Sequence, residues 1–277
     1  PYKRYGETIK SVSNEILSIS LPVNNQILQK VLKPGAARNA LDCALWDLEA
    51  KKESKPVWQL LNLKEPKPTI TAYTISLSNP AKMMQDAKSK SDYPILKIKL
   101  GGQDDEKCIK AVREGSPNSR IIVDANEGWN VESYNYLVPI FKNIGVELIE
   151  QPFPSNKDHL LKNLDRKIPI CADESCHDVK SLEKLKGLYD YINIKLDKTG
   201  GLTEAINLLQ AAKKSGFKIM LGCMVGTSLA MAPALLLSGE CDIVDLDGPL
   251  LLKKDRPNPI RYDNFRAFPI SEGLWGV

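Results

Sequence analysis

Two lysines, Lys97 and Lys99, stand two residues apart in the apolar run LKIKL, which ends at Gly101 and Gly102. In an extended strand residues i and i+2 share a face, so both ammonium groups leave the same side of an otherwise buried element. Side by side there, they repel one another and lose hydration. Such a pair makes sense when it faces carboxylates or a metal-bound anion, and when one amine can give up its proton. The partners lie further along the chain. Short apolar runs end in Asp124 and Asn126, in Glu150, in Asp173 and Glu174, in Lys195, and in Asp245 and Asp247.

Asp124, Glu150 and Asp173 close three consecutive runs, so they converge if the runs are neighbouring strands. Three carboxylates in a low-dielectric mouth stay ionised only with a cation among them. All-oxygen ligation favours magnesium or a similar hard ion. The plainer alternative pairs each carboxylate with a lysine. Lys99 and Lys195 fall on the second and sixth runs, with the acidic runs between them. A substrate carboxylate bound at the triad would hold its α-carbon between two amines, one removing the α-proton and the other returning a proton to the opposite face. A lysine base must be neutral, so its pKa is expected to be lowered by the nearby metal and by the second cation, with Lys97 as the like charge that holds Lys99 down and reaches the substrate carboxylate. Asp245 and Asp247 share a strand face and suit an ammonium group, although a loop-capping pair is the bland reading.

The elements that must position these residues have a clear rhythm. Eight β-branched runs (ITAYTISL, ILKIKL, RIIVDAN, VELIEQPF, IPICADE, YINIKLD, KIMLGCM and CDIVDLD) alternate with helical stretches such as Ser181–Leu188 and Thr203–Lys214. Equivalent positions recur roughly every 22 to 27 residues. Eight strand–helix units at that period predict a closed (β/α)8 barrel, with an open doubly wound sheet as the competing architecture. The charged residues all sit at strand C-terminal ends, where barrel sites are built. Residues 1–62 read instead as helical, over Glu7–Leu17, from Pro34-Gly35 to Ala50, and from Pro56, and carry no phosphate loop or carboxylate cluster. The expected organisation is α/β: a partial N-terminal helical capping subdomain over 1–66, and a TIM-type barrel over 67–277 whose tail returns toward the cap.

Composition narrows the function class. The 277 residues are 43% apolar with a net charge of +4 from scattered lysines. That argues for a solvated surface rather than nucleic-acid binding. No run of about 20 apolar residues predicts a membrane span, and PYKRYGETIK has no secretory apolar segment. Six cysteines form no CxxC pair and only two histidines exist, His159 and His177, which makes a zinc site unexpected. Free thiols suit a reducing cytoplasm, and Cys171 and Cys176 read as packing residues.

The motifs KIK, VDAN, IEQPF, ADES and NIKLDKTGG, in this order and spacing, resemble the enolase superfamily, specifically its muconate-lactonizing subgroup. IMLGCMVGTSLAMA followed by VDLDGP is similar to its dipeptide epimerases. The resemblance implies magnesium ligands at Asp124, Glu150 and Asp173, one ion per subunit, and a catalytic pair at Lys99 and Lys195. It implies that Asp245 and Asp247 hold the α-ammonium of a dipeptide. It implies further substrate contacts at Thr74 and at Cys223, Met224 and Val225; Lys97 is expected among the substrate-binding residues, and Asn126 and Glu174, at the same strand ends, are expected in support. The activity it implies is epimerisation of L-Ala-D/L-Glu-type dipeptides in murein recycling, and it allows a homo-oligomer. The o-succinylbenzoate synthases and muconate cycloisomerases share lysines and ligands, but their substrates lack an ammonium for Asp245 and Asp247. A mandelate racemase reading needs a histidine on the seventh strand. A barrel that binds metal without catalysis has no use for two facing amines. Against the family pattern, the chain is expected to begin inside the helical part of the cap, without the loop that reads the substrate side chain.

Overall fold

The computed structural model of the protein describes residues 1–270 and 273–276. Its centre is an eight-stranded parallel sheet in chain order, β1 (Tyr73–Ile75), β2 (Ile95–Lys99), β3 (Arg120–Asp124), β4 (Val146–Glu150), β5 (Ile170–Ala172), β6 (Tyr191–Ile194), β7 (Lys218–Leu221) and β8 (Ile243–Val244). The edges meet: the Ala72 N–H donates to the Val244 carbonyl at 2.8 Å, and the Leu246 N–H to Thr71 Oγ1 at 2.8 Å. The sheet is thereby curled shut, as the eight evenly spaced runs predict.

Period-two alternation sorts the strand residues into two sets. Leu96, Ile98, Ile121, Val123, Ile149, Ile192 and Ile219 pack outward under the helices. Ala72, Ile95, Ile122, Leu148, Cys171, Met220 and Ile243 form a separate buried cluster inside the barrel. Two residues further along the inner face of the same strands come Thr74, Lys97, Asp124, Glu150, Asp173, Gly222 and Asp245. The interior is thus an apolar plug with a polar layer directly above it. Register places Thr74 opposite Lys97 and Asp124 opposite Glu150, and it brings Lys99, two residues further along β2, opposite Asp124.

Amphipathic helices Pro80–Ser89, Asp105–Gly115, Val131–Ile144 and Leu202–Lys214, and the largely apolar helix Ser228–Leu235, cover the outside. Two expected features differ. The run ITAYTISL is not one strand: Thr69–Ile70 pairs antiparallel with Arg266–Ala267, and only Tyr73–Ile75 enters the barrel. The switch occurs where the Thr71 N–H bonds the Phe265 carbonyl and the next N–H bonds Val244. The helix read over Ser181–Leu188 is a 3-10 turn, Val179–Ser181, plus a single α-turn, Leu182–Leu185. Gly187, at φ 80°, ends it, as the Leu188 and Tyr189 N–H groups both return to the Leu185 carbonyl.

Residues ahead of the barrel form helices Ile9–Leu17, Asn25–Val31, Ala36–Glu53 and Val57–Leu60. Helix Ala36–Glu53 docks on the glycine pair that follows β6. The Arg38 Nη2 donates to the Thr199 carbonyl at 2.6 Å, and Asp42 accepts from the Thr203 N–H at 3.0 Å and the Thr203 hydroxyl at 2.6 Å. A Cβ on Gly200 would lie 2.6 Å from Arg38 Nε, and one on Gly201 2.5 Å from Asp42. The TGG of NIKLDKTGG is therefore a docking surface for this helix. The tail also reaches it: the Trp275 indole N–H donates to the Cys43 carbonyl at 2.8 Å.

Candidate active site

The polar layer opens upward into a cavity of about 320 Å³. It is lined by Thr74, Lys97, Lys99, Asn126, Asp173, Glu174, Lys195, Cys223, Met224, Val225, Asp245 and Asp247. Asp124 and Glu150 form its buried floor. All fourteen residues singled out from the sequence are therefore brought together. A larger cavity, about 750 Å³, lies on the barrel flank between residues 62–69 and 236–240 and holds none of them.

One oxygen from each of Asp124, Glu150 and Asp173 lies within 4.8 Å of the other two. Three acidic oxygens that close could share one hard cation. Electrostatics divide the three: burial opposes the charge on Asp124 and Asp173, but Lys99 holds the first below the ordinary carboxylate range and Lys195 holds the second well below it. Burial first, and then Asp124, push the Glu150 carboxyl up to about 7. Glu150 Oε2 and Asp173 Oδ1 are buried without a well-formed hydrogen bond, although Lys97 and Lys198 stand 2.8 and 2.6 Å from them. Each carboxylate thus has a lysine beside it, the plainer arrangement that the sequence also allowed, while the three oxygens still converge closely enough to share one cation. The residues fit an oxygen-bound divalent ion.

The two lysines expected to move protons hold opposite ends of the triad. Lys99 Nζ lies 2.6 Å from Asp124 Oδ2 and 3.0 Å from Asn126 Oδ1. Lys195 Nζ lies 2.6 Å from Asp173 Oδ2. Strands β3, β4 and β5 separate them, so they flank whatever the triad binds. Asn126 reaches Lys99 from a left-handed backbone, φ 44°, which asparagine tolerates well. Gly222 leaves room for Asn193 and Lys195, because a Cβ there would lie 2.5 Å from Asn193 Oδ1 and 3.0 Å from Lys195 Cε.

Among the protein's own groups, burial lowers Lys195 but the Asp173 carboxylate overrides it and the pKa is raised, so any lowering falls to a cation held by the triad. The expectation for Lys97 fails. Lys97 is no free like charge beside Lys99. It is buried among Glu150 at 2.8 Å, Asp245 at 2.9 Å and Asp124 at 3.3 Å. Burial is again outweighed by Asp245 and the other carboxylates, and Lys97 is held charged well above the ordinary range. Sequence spacing placed Lys97 correctly but could not tell which carboxylates it would meet. One of them is Asp245, so half of the expected ammonium clamp already has a cation. Asp247 accepts from the Thr74 N–H at 2.6 Å. Burial, then Asp245, push its carboxyl up to about 7.

Several site residues carried no assignment from the sequence. Lys198 lies wholly beneath Asp173, donating to the Asp173 carbonyl at 2.5 Å and the Asn193 carbonyl at 2.9 Å. Its spacing of three from Lys195 was the available signal, since one helical turn follows β6. Asn193 donates to Glu150 Oε1 at 2.8 Å. Gln151 Oε1 accepts from the backbone N–H groups of Asp173 and Ser175, fixing that loop. Tyr2, Arg4 and Tyr5 form part of the cavity wall from the segment ahead of the first helix. Nothing in their spacing announces this, because only the folded chain lays that segment across the barrel mouth.

An eight-stranded barrel that carries three acids and two lysines at the ends of strands β2 to β6, beneath a helical N-terminal portion, defines a class. The chain belongs to the enolase superfamily: residues 80–264 match the enolase C-terminal domain-like family, and residues 13–62 the mandelate racemase / muconate lactonizing enzyme N-terminal domain. Within it, the chain is 45% identical over its full length to an N-acetyl-D-glutamate racemase of a Pseudoalteromonas species, spanning 89% of that protein. It is 42% identical, over 92% of its length and 81% of the relative's, to the L-Ala-D/L-Glu epimerase of Escherichia coli K12. A solved structure from Agrobacterium tumefaciens, an enolase family member with homology to dipeptide epimerases and with bound sodium and L-Ala-L-Glu, superposes with a TM-score of 0.97 at 48% identity, covering 100% of this chain and 86% of that one.

Proposed function

We propose that the protein is an isomerase, a magnesium-dependent dipeptide epimerase that inverts the α-carbon of the C-terminal residue of L-Ala-D/L-Glu-type dipeptides. The observation that carries this reading is the attachment of Lys99 and Lys195 to opposite ends of one acidic triad. Asp124, Glu150 and Asp173 would hold the ion, which would supply positive charge to the substrate carboxylate as negative charge develops there. Lys99 and Lys195 face the α-carbon from two sides. One takes the α-proton on its Nζ, and the other gives a proton from its Nζ to the opposite face. Only an unprotonated amine can act as base, so each lysine must part from its carboxylate in turn. Asp247 orients the far end of the substrate by accepting from its α-ammonium. In this reading residues 1–66 are the capping portion and 67–277 the catalytic barrel, each subunit holds one ion, and the substrates are murein-derived peptides of the cytoplasm, where the free thiols are at home.

A second reading shares the chemistry and changes the acyl group. L-Ala-Glu and N-acetylglutamate are both glutamates acylated on nitrogen, and only the first carries an ammonium. The Lys97–Asp245 ion pair favours the second, because it spends one of the two carboxylates that would clasp that ammonium. Incubation of L-Ala-L-Glu and of N-acetyl-L-glutamate with magnesium in heavy water tests both. Deuterium at the glutamate α-carbon, with the epimer formed and exchange lost in Lys99→Ala and Lys195→Ala, supports the mechanism. No exchange with either compound refutes it.

A further inference from the structure

We propose that Asp105 is a positioning residue for Lys99. It ties the loop that follows Lys99 to the loop that carries Asn126, and so aims one of the two amines and not the other. The inference rests on the proposed two-lysine reaction, and it assigns the part of the fold that holds each face of that reaction.

Asp105 opens the helix after β2 and is buried. Its Oδ1 accepts from the Gly101 N–H at 3.0 Å and the Gly102 N–H at 2.9 Å. Its Oδ2 accepts from the Trp129 indole N–H at 2.7 Å and shares the Gly101 N–H at 3.0 Å. The glycines follow Lys99 and Leu100 directly, and Trp129 comes three residues after Asn126. The two loops touch backbone to backbone. A Cβ on Gly128 would lie 2.9 Å from Gly101 Cα, and one on Gly101, at φ 117°, would lie 2.9 Å from the Ala125 carbonyl oxygen. The Trp129 backbone N–H in turn donates to the Pro152 carbonyl at 2.9 Å, beyond β4. One carboxylate therefore fastens the ends of β2 and β3 together.

Lys99 depends on this more than Lys195 does. The Lys99 side chain is 30% exposed, against 4% for Lys195, so packing does not fix it. Besides Asp124, its Nζ is aimed by Asn126 Oδ1, presented from a turn with left-handed backbone at both Asn126 and Glu127, φ 44° and 68°. That conformation is costly outside glycine and persists only where the surroundings over-determine it. Lys195 stands on a different support, the loop after β6, which Arg38 and Asp42 hold from the cap helix. An asparagine at 105 would keep the shape but turn one acceptor into a donor, so it must release either the glycines or the indole.

The test is α-deuterium exchange in heavy water with magnesium, followed separately for the L- and D-epimers of L-Ala-Glu and of N-acetylglutamate, on wild type, Asp105→Asn and Trp129→Phe. Each lysine serves one epimer, and Lys99→Ala identifies which: that variant should exchange only the epimer whose proton Lys195 both takes and returns. Asp105→Asn should reproduce the pattern in weaker form, the Lys99-served epimer slowing by about tenfold to a hundredfold, as a misplacement near 1 Å does, while exchange with retention of the other epimer stays within about twofold. Trp129→Phe deletes one donor and keeps an aromatic ring in the packing; it should show the same bias to a smaller degree, and decides alone if Asp105→Asn does not fold. Equal slowing of both epimers, or no slowing of either, overturns the inference while wild-type exchange keeps the reaction. No wild-type exchange with any of these compounds refutes the reaction and this inference with it.

Discussion

If Asp247 holds a substrate ammonium, it must be ionised to do so, and its surroundings make that conditional near neutrality. The carboxyl is pushed up to about 7 by burial and then by Asp245. At pH 6 roughly one-tenth of a group with that pKa is ionised. Below pH 7, then, kcat/KM for L-Ala-L-Glu should fall about tenfold per unit from this cause alone. N-acetyl-L-glutamate has no ammonium and is spared, so the ratio of the two kcat/KM values removes every pH effect that both substrates share at the triad and lysines. Asp247→Asn keeps the shape and the acceptor for the Thr74 N–H while deleting the charge. It should cost L-Ala-L-Glu on the order of 2–5 kcal/mol of transition-state binding, the usual effect of truncating a buried charge pair, and should flatten the ratio between pH 5.5 and 7.5. Stability moves the other way. A raised carboxyl binds its proton in the folded state over a window, between its ordinary pKa and about 7, where the unfolded chain has released it. Wild-type stability therefore declines as pH rises through that window, and Asp247→Asn should melt higher than wild type at pH 8 and not at pH 4. A wild-type ratio that is flat with pH, or one that titrates equally in Asp247→Asn, refutes the clamp.

Other elements of the site respond to simpler perturbations. Lys198→Met leaves Asp173 and two buried carbonyls without their ammonium, and urea unfolding should register a loss of about 3–5 kcal/mol, as expected when one member of a buried pair is removed; a loss under 1 kcal/mol would mean Asp173 is neutralised by Lys195 alone. Ile122→Ala opens a void in the apolar plug directly beneath Asp124 and should cost about 2–5 kcal/mol, with an unchanged denaturant slope. Magnesium at about 100 times its Kd should stabilise the fold by about 2.7 kcal/mol, a rise in melting temperature that a chelator reverses and that Glu150→Gln abolishes; an equal rise in that variant would place the ion elsewhere.

The barrel and its polar layer were readable because both follow from period-two alternation. Once Ile122 faces the interior, Asp124 must share its face, and the same holds for Leu148 with Glu150 and Ile95 with Lys97. Position along a strand thus translates directly into height in the barrel. What alternation does not encode is the pairing of charges across the interior. Lys97 could be placed but not partnered, since its contact with Asp245 spans 148 residues and depends on β2 and β8 closing toward each other. The same holds for Lys195, where burial and Asp173 oppose one another and only distance decides between them.

The cap was less legible for a related reason. Its helices have the expected spacing, yet Tyr2, Arg4 and Tyr5 precede the first helix in a segment with no period to read. That segment is held by contacts to Val225 on the loop after β7 and to Glu174 and His177 on the loop after β5. Chemistry in this protein is built on strands, where geometry is repetitive. The cavity wall above them is built on contacts between non-repetitive segments, which is why only the folded chain reveals it.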